Sequence, residues 1–262
     1  TQPTIGRQVA RLEEELGVAL FERIGTRLEL TPNGLNLVEH ARAMGESAMK
    51  LSLAAAGHSQ TIEGTVSITA SEAIATYLLP PVIHKLRRDH PKIEIEIVAS
   101  NESQDLHRRE ADIAVRNYAP KHDDLIGRKV GESLGKFYAT RAYIDEFGPF
   151  DKPEDLSRGE IFAFDRSEMM ISWLCGMGME VTRENFSIMT GNHLVQWALC
   201  KQGVGICIMM GEVGEAEPLV ENILPDSNIT VPIWLVSHRE LRTSRRIRLV
   251  YDLLADALSG EY

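Results

Sequence analysis

Residues 1–34, TQPTIGRQVARLEEELGVALFERIGTRLELTPNG, decide how the rest of the chain is read. Ile5, Val9, Leu12 and Leu16 recur at helical spacing, which predicts an amphipathic helix over 4–16 with one apolar stripe. Thr1 is placed to cap it, Pro3 is tolerated in a first turn, and Gly17 is a stop signal. Arg7 and Arg11 lie one turn apart on a different face, with Gln2, Thr4 and Gln8 adding hydrogen-bonding groups towards the N-terminal end. Residues 18–23 and 27–31 then read as two short strands about Gly25, a small hairpin or wing.

Thr31-Pro32 opens a second helix, a cap followed by a proline in the first turn, running to about Ala56 and ending at Gly57. Along it Leu37, Ala41, Met44, Ala48, Leu51 and Ala55 are spaced alternately four and three residues apart, the pattern of a coiled-coil seam. Small side chains at Ala41, Ala48 and Ala55 permit close approach of a second helix. A helix lying on its own domain is the alternative reading, but no apolar surface nearby is long enough to cover the seam.

Residues 58–64 read as a linker. Beyond it strands alternate with helices: a strand over 65–70, a helix over 71–89 interrupted at Pro80-Pro81, a strand around Ile93, Ile95 and Ile97, a short helix over 106–109 and a strand over 111–116. This order predicts an open, largely parallel sheet. After Asn117 a second lobe follows, with strands over 137–140, 161–164, 206–209 and 231–237, a helix over 193–201, and a closing helix over 244–258 that turns Ile247, Val250, Leu254 and Leu258 inward.

Net charge is -10, yet residues 1–60 carry six Lys/Arg against seven Asp/Glu, while 61–262 carry twenty-two against thirty-one. The acidity belongs to the second part, so the first can still present a local basic face. There is no apolar run long enough for a membrane span and no secretory signal pattern, and Cys175, Cys200 and Cys207 form no disulfide framework. A cytoplasmic protein without membrane attachment is expected. His84, His90, His107 and His193 have no metal-ligand spacing, and no nucleophile-base-acid order or phosphate loop occurs. The expectation is no enzyme, no catalytic residue, no metal and no cofactor.

The chain resembles the LysR-type transcriptional regulators. Residues 1–23 followed by Leu30-Thr31-Pro32-Asn33-Gly34 match the family's recognition helix and wing almost position for position, ending in leucine-phenylalanine-x-arginine and leucine-threonine-x-x-glycine. Leu79-Pro80, residues 111–116 and residues 202–206 sit where the family's effector domain has related motifs. Gly6 stands where the family usually has serine, and Met209-Met210 replaces a usual leucine-proline. The resemblance implies an α/β chain: a partial winged helix-turn-helix (1–31), a dimerising linker helix (32–57), a linker (58–64), and a two-lobed periplasmic-binding-protein-like (type 2) effector domain. Lobe I takes 65–117 and 239–262, and lobe II takes 118–238. The sequence opens inside the helix-turn-helix, so the helices that support the recognition helix are expected to lie outside it.

That resemblance implies double-stranded promoter DNA, a small-molecule effector and a second copy of the chain as partners, as a homodimer and by family likeness a homotetramer, and it allows RNA polymerase as a further contact. Gln2, Thr4 and Arg7 are expected to face bases, with Gln8 beside them, and Arg11, Arg23 and Arg27 to hold phosphates. Ser71, Asn101, Thr190, Val204 and Ile206 are expected at the effector cleft between the lobes, with crossovers near 116–118 and 237–239. Glu72 would repel an anionic effector if it faced the cleft, so either it turns away or the ligand is not an anion; the first is favoured. The Met169, Met170, Met177 and Met179 run reads as adaptable packing at a lobe surface or cleft lip. A solute-binding protein or an enzyme on the same lobes are the competing readings. The first would lack the DNA helix, and the second would need a catalytic pair.

Overall fold

The computed structural model describes residues 2–25, 27–57, 61–101, 111–165 and 168–259. The expected short helix over 106–109, the Thr1 cap and part of the 58–64 linker lie outside them. The chain forms two compact units, Thr1–Ala56 and Gly57–Tyr262.

In the first unit α1 spans Gln2–Leu16 and ends at Gly17, whose φ of 68° is the left-handed conformation that glycine adopts at least cost. Strands β1 (Phe21–Ile24) and β2 (Arg27–Leu30) pair antiparallel as the expected hairpin. Glu13 ties helix to hairpin: its Oε1 accepts from the amides of Leu20 (2.7 Å) and Phe21 (3.1 Å). Helix α2 spans Pro32–Gly57. Thr31 caps it, its Oγ1 accepting from the Gly34 amide (3.0 Å) while donating to the Ala19 carbonyl (2.7 Å). A Cβ at Gly34 would lie 2.1 Å from the Leu20 carbonyl oxygen, so only glycine lets the helix start this close to the hairpin. The apolar stripe of α1 is not covered among the described residues, with Ile5 at 63% exposure and Leu12 and Leu16 also exposed.

The second unit is built on one sheet of order β4-β3-β5-β9-β6-β7, with β8 pairing β6. Strands β3 (Gly64–Ala70), β4 (Ile93–Ala99) and β5 (Ile113–Arg116) are mutually parallel. Strands β6 (Leu125–Thr140), β7 (Cys207–Met210), β8 (Val220–Asn222) and β9 (Ile229–His238) join antiparallel, so the sheet is mixed rather than largely parallel. Lobe I gathers β3, β4 and β5 under α3 (Leu79–Asp89) and α8 (Arg245–Leu258), burying Ile68, Leu79, Leu86, Ile247, Val250 and Leu254. Lobe II holds α4 (Arg141–Phe147), α5 (Met169–Gly176), α6 (His193–Lys201) and α7 (Gly211–Glu215), with Phe137, Tyr138, Leu156, Phe162 and Leu174 at its centre.

Sequence and structure differ at three further places for physical reasons. The Pro80-Pro81 interruption leaves the helix continuous, because residues Ile74–Leu78 widen into a π-helical turn just before it. The wider turn relieves the clash of each proline ring with the carbonyl four residues back. Residues 161–164 make only isolated bridges, Ile161 to Ile206 and Ala163 to Met189, not a strand. Strand β6 is sixteen residues long, far beyond 137–140. It and β9 pair from Leu125–His238 to Gly135–Ile229, linking β5 at one end to β7 and β8 at the other. These two strands run between the lobes; β6 begins at Leu125, eight residues beyond position 117, and β9 ends at His238.

Candidate functional site

Helix α1 carries the candidate DNA-facing groups. Arg7, Gln8 and Arg11 are exposed; Gln2 and Thr4 fall on its first turn, and their side chains lie outside the described ones. Its fifteen residues span about 22 Å at a rise of ~1.5 Å each, a length suited to a major groove. The acidic run behind these arginines is largely engaged: Glu13 binds the hairpin amides, and Glu15 pairs with Arg11 at 2.9 Å on the exposed surface. Arg23 and Arg27 stand exposed on either side of the hairpin tip at Gly25. The α2 seam is also exposed, with Met44 and Leu51 each at 74%. Ala41 and Ala48 are exposed, Leu37 is half-buried, and the side chain of Ala55 lies outside the described ones.

Between the lobes lies a cavity of about 580 Å³. Lobe I lines it with Ser71, Ala73, Ile74, Asn101 and Asn117. The crossover strands supply Ser133, Gly135, Ile229, Val231 and Ile233, and β7 supplies Ile208, Met209 and Met210. Lobe II contributes Phe162, Phe164, Met169, Met170 and Trp173, with Asp165, His193 and Gln196 as its polar members. The Met-rich run therefore divides: Met169 and Met170 reach the cavity, while Met177 and Met179 pack in the lobe II core.

The polar groups are held in fixed orientations. Gln196 is buried at 3% exposure, and its Nε2 donates to the carbonyls of Thr190 (3.0 Å) and Ala163 (3.2 Å). His193 Nε2 lies 2.6 Å from the Ile208 carbonyl, which can only accept, so Nε2 carries the proton and Nδ1 is an acceptor. Burial holds this imidazole below its ordinary value near 6.5, against the Ile208 carbonyl and Glu72, which act to raise it. Phe164 meets the ring edge-on at 5.6 Å.

A stability signature follows. On acidification the unfolded chain binds the His193 proton before the folded one does. The histidine's contribution is therefore intact above about pH 6.5 and is lost as pH falls through the lower folded value. The drop in thermal midpoint between about pH 7.5 and about pH 5.5 should be smaller in His193→Phe than in the native chain. Equal drops would remove His193 as a cause.

Glu72 lies beside the cavity without lining it, and there it joins the lobes. Its Oε1 accepts from Asn192 Nδ2 at 2.9 Å and its Oε2 from Asn101 Nδ2 at 3.1 Å. Asn101 Nδ2 also donates to the Gly191 carbonyl at 2.8 Å. Asn101 Oδ1 accepts the Glu72 amide (3.2 Å), and Asn192 Oδ1 accepts the Val195 amide at the start of α6 (3.0 Å).

Of the five positions expected at the cleft, the cavity takes in Ser71 and Asn101. Thr190 lies behind it, its Oγ1 accepting from Asn192 N (3.2 Å). Ile206 is fully buried in the lobe II core, because it bridges to Ile161 rather than opening towards lobe I. Val204 lines a separate groove of about 610 Å³ beside Tyr143, Arg158 and Glu160. The residues sequence reasoning missed are Phe164, Trp173, His193 and Gln196. His193 opens a helix that the sequence does predict, and the Asn192 cap before it was the available signal. Cys200 and Cys207 are buried free thiols; burial pushes Cys200 up to about 12 and Cys207 well upward, so neither is a ready nucleophile. Among the described residues no group of three His, Cys, Asp or Glu could hold a metal ion, and no helix is long and apolar enough to cross a membrane.

Two family models match the chain: the LysR substrate binding domain over residues 59–259, and the bacterial regulatory helix-turn-helix protein, lysR family, over residues 1–35. The regulator CrgA of Neisseria meningitidis serogroup B is 25% identical over 98% of this chain and 88% of its own length. A transcriptional repressor of Pseudomonas aeruginosa is 25% identical over 78% of this chain, which spans 65% of that protein. Among solved structures, CrgA superposes with a TM-score of 0.65 at 22% identity, covering 99% of this chain and 90% of its own. The full-length virulence activator AphB of Vibrio cholerae gives 0.66 at 20% identity, covering 97% of this chain and 89% of its own.

Proposed function

The chain belongs to the LysR family of transcriptional regulators, with a helix-turn-helix segment and an effector-binding domain, and on that premise we propose that a small molecule held in the inter-lobe cleft controls its action on promoter DNA. The observation carrying this reading is the apolar cavity lined from both lobes, beside the Glu72–Asn192 and Asn101–Gly191 hydrogen bonds that join them. A ligand with different affinity for the closed and open arrangements shifts their populations. The LysR family is one of transcriptional regulators, not enzymes.

Ser71 lines the cavity from a partly exposed position, so Ser71→Trp fills the space without disturbing the core. In gel shifts the native chain should change its DNA affinity or footprint in the presence of an effector drawn from a small-molecule library. The filled variant should bind DNA and ignore the effector. An unaltered response in Ser71→Trp would sink the cleft reading.

One recognition helix reads few bases, so a second copy is needed, and the α2 seam is the proposed contact, with a tetramer and RNA polymerase as further assembly in a cytoplasmic setting. Replacing Leu51, a large exposed apolar side chain of the seam, by glutamate places a charge on it. Light scattering should then report monomers where the native chain gives dimers or larger species. An unchanged mass would place the interface elsewhere.

A further inference from the structure

Resting on the reading of the cleft as the effector site, we propose that its ligand is an uncharged aromatic compound carrying a hydrogen-bond donor, a phenol or an aromatic amine, and that carboxylates are discriminated against. The walls suit a flat ring: Trp173 and Phe164 are partly exposed at the cavity, with Met169 and Met170 beside them as adaptable surfaces.

The polar groups choose the substituent. His193 Nε2–H is engaged by the Ile208 carbonyl, which leaves Nδ1 as an acceptor. Gln196 Nε2 is engaged by two carbonyls, leaving Oε1 as an acceptor. Asn117 Nδ2 donates to the Pro232 carbonyl (3.2 Å), leaving its Oδ1 likewise. Ser133 donates to Glu212 (3.2 Å), and only the Ser71 hydroxyl can turn either way. A buried acceptor left without a donor costs affinity, so a ligand that brings an O–H or N–H is preferred.

One backbone donor at each of the two facing helix starts is already taken: Asn101 accepts the Glu72 amide and Asn192 the Val195 amide, which reduces what a carboxylate could use there. The Glu72 carboxylate beside the cavity adds negative charge, and no described lining residue is Lys or Arg. A neutral imidazole at His193 supplies no compensating charge.

Three probes of matched shape test this: para-cresol, para-toluate and para-xylene, titrated into the full chain with Trp fluorescence and thermal shift as readouts. Trp173→Phe identifies which signal comes from the cleft. Para-cresol should bind at least about tenfold more tightly than either of the others, and His193→Phe should bring it to about the level of para-xylene. Should that variant fail to fold, the native comparison of the three probes still decides. Para-toluate binding as well as para-cresol, with a Trp173 response, overturns the donor-arene class and leaves the cleft as effector site. Para-cresol no better than para-xylene overturns the donor requirement. No response from Trp173 to any probe overturns the donor-arene class and leaves the cleft reading to the Ser71→Trp comparison.

Discussion

Replacing Gly131 by valine lowers the stability of the effector domain by about 3 kcal/mol or more, which for a domain of this size moves the thermal midpoint down by about 6–12 °C. A Cβ there would sit 2.3 Å from the carbonyl oxygen of Leu258 and 3.4 Å from its carbonyl carbon. Both are backbone atoms, so no side chain can swing aside. Leu258 ends α8, which covers the lobe I sheet through Ile247, Val250 and Leu254, and Gly131 lies on β6 at the register shift between Lys129 and Gly131. The new methyl groups must displace either the end of that helix or the strand that links the lobes. The contrast is Gly45→Ala on α2, where a Cβ meets nothing within 4 Å. There the exchange should stabilise the helix by up to about 1 kcal/mol. If Gly131→Val melted within about 2 °C of the native chain, the close approach of α8 to β6 would be wrong.

That glycine also shows what the sequence concealed. Strand β6 carries Gly127, Gly131 and Gly135 together with Arg128, Lys129 and Glu132, and none of these favours a strand. Gly131 is there because of an element 127 positions further along the chain, so no local pattern could announce it. By contrast α8 and α6 were legible because each buries one helical face against one sheet, and that repeats every three to four residues. The β1–β2 hairpin was legible for a related reason: Gly25, at a φ of 65°, marks a turn that other residues enter with strain.

The cleft was half legible on the same principle. Ser71 and Asn101 follow β3 and β4 at their carboxyl ends, where ligands gather in open sheets. The lobe II wall depends on how α5, α6 and β7 converge, and that is a matter of tertiary packing. Glu72 and Asn192 meet although they are 120 residues apart. Reading Glu72 as a residue beside the cleft was within reach of helix-start rules; naming its partner was not.

Salt should weaken operator binding steeply, and the size of the effect counts the arginines involved. If Arg11, Arg23 and Arg27 of each protomer hold phosphates, a dimer makes about six such contacts, and affinity falls roughly a thousandfold between about 50 mM and about 200 mM salt. Removing Arg23 or Arg27 should weaken all duplexes alike and lower the salt slope by about two, one contact per protomer. Arg11 must first leave Glu15, its exposed partner at 2.9 Å, so its removal should cost less than that of either hairpin arginine. Arg7 is different. One turn nearer the N-terminus than Arg11, it is expected at base edges. Arg7→Ala, lost from both protomers, should therefore cost about thirtyfold or more on the preferred operator and little on unrelated duplexes. Equal losses on both would make Arg7 a phosphate contact and move sequence reading to Gln2, Thr4 and Gln8. A flat salt response would remove the hairpin arginines from the interface altogether, since no buried pairing of uncharged groups can imitate counterion release.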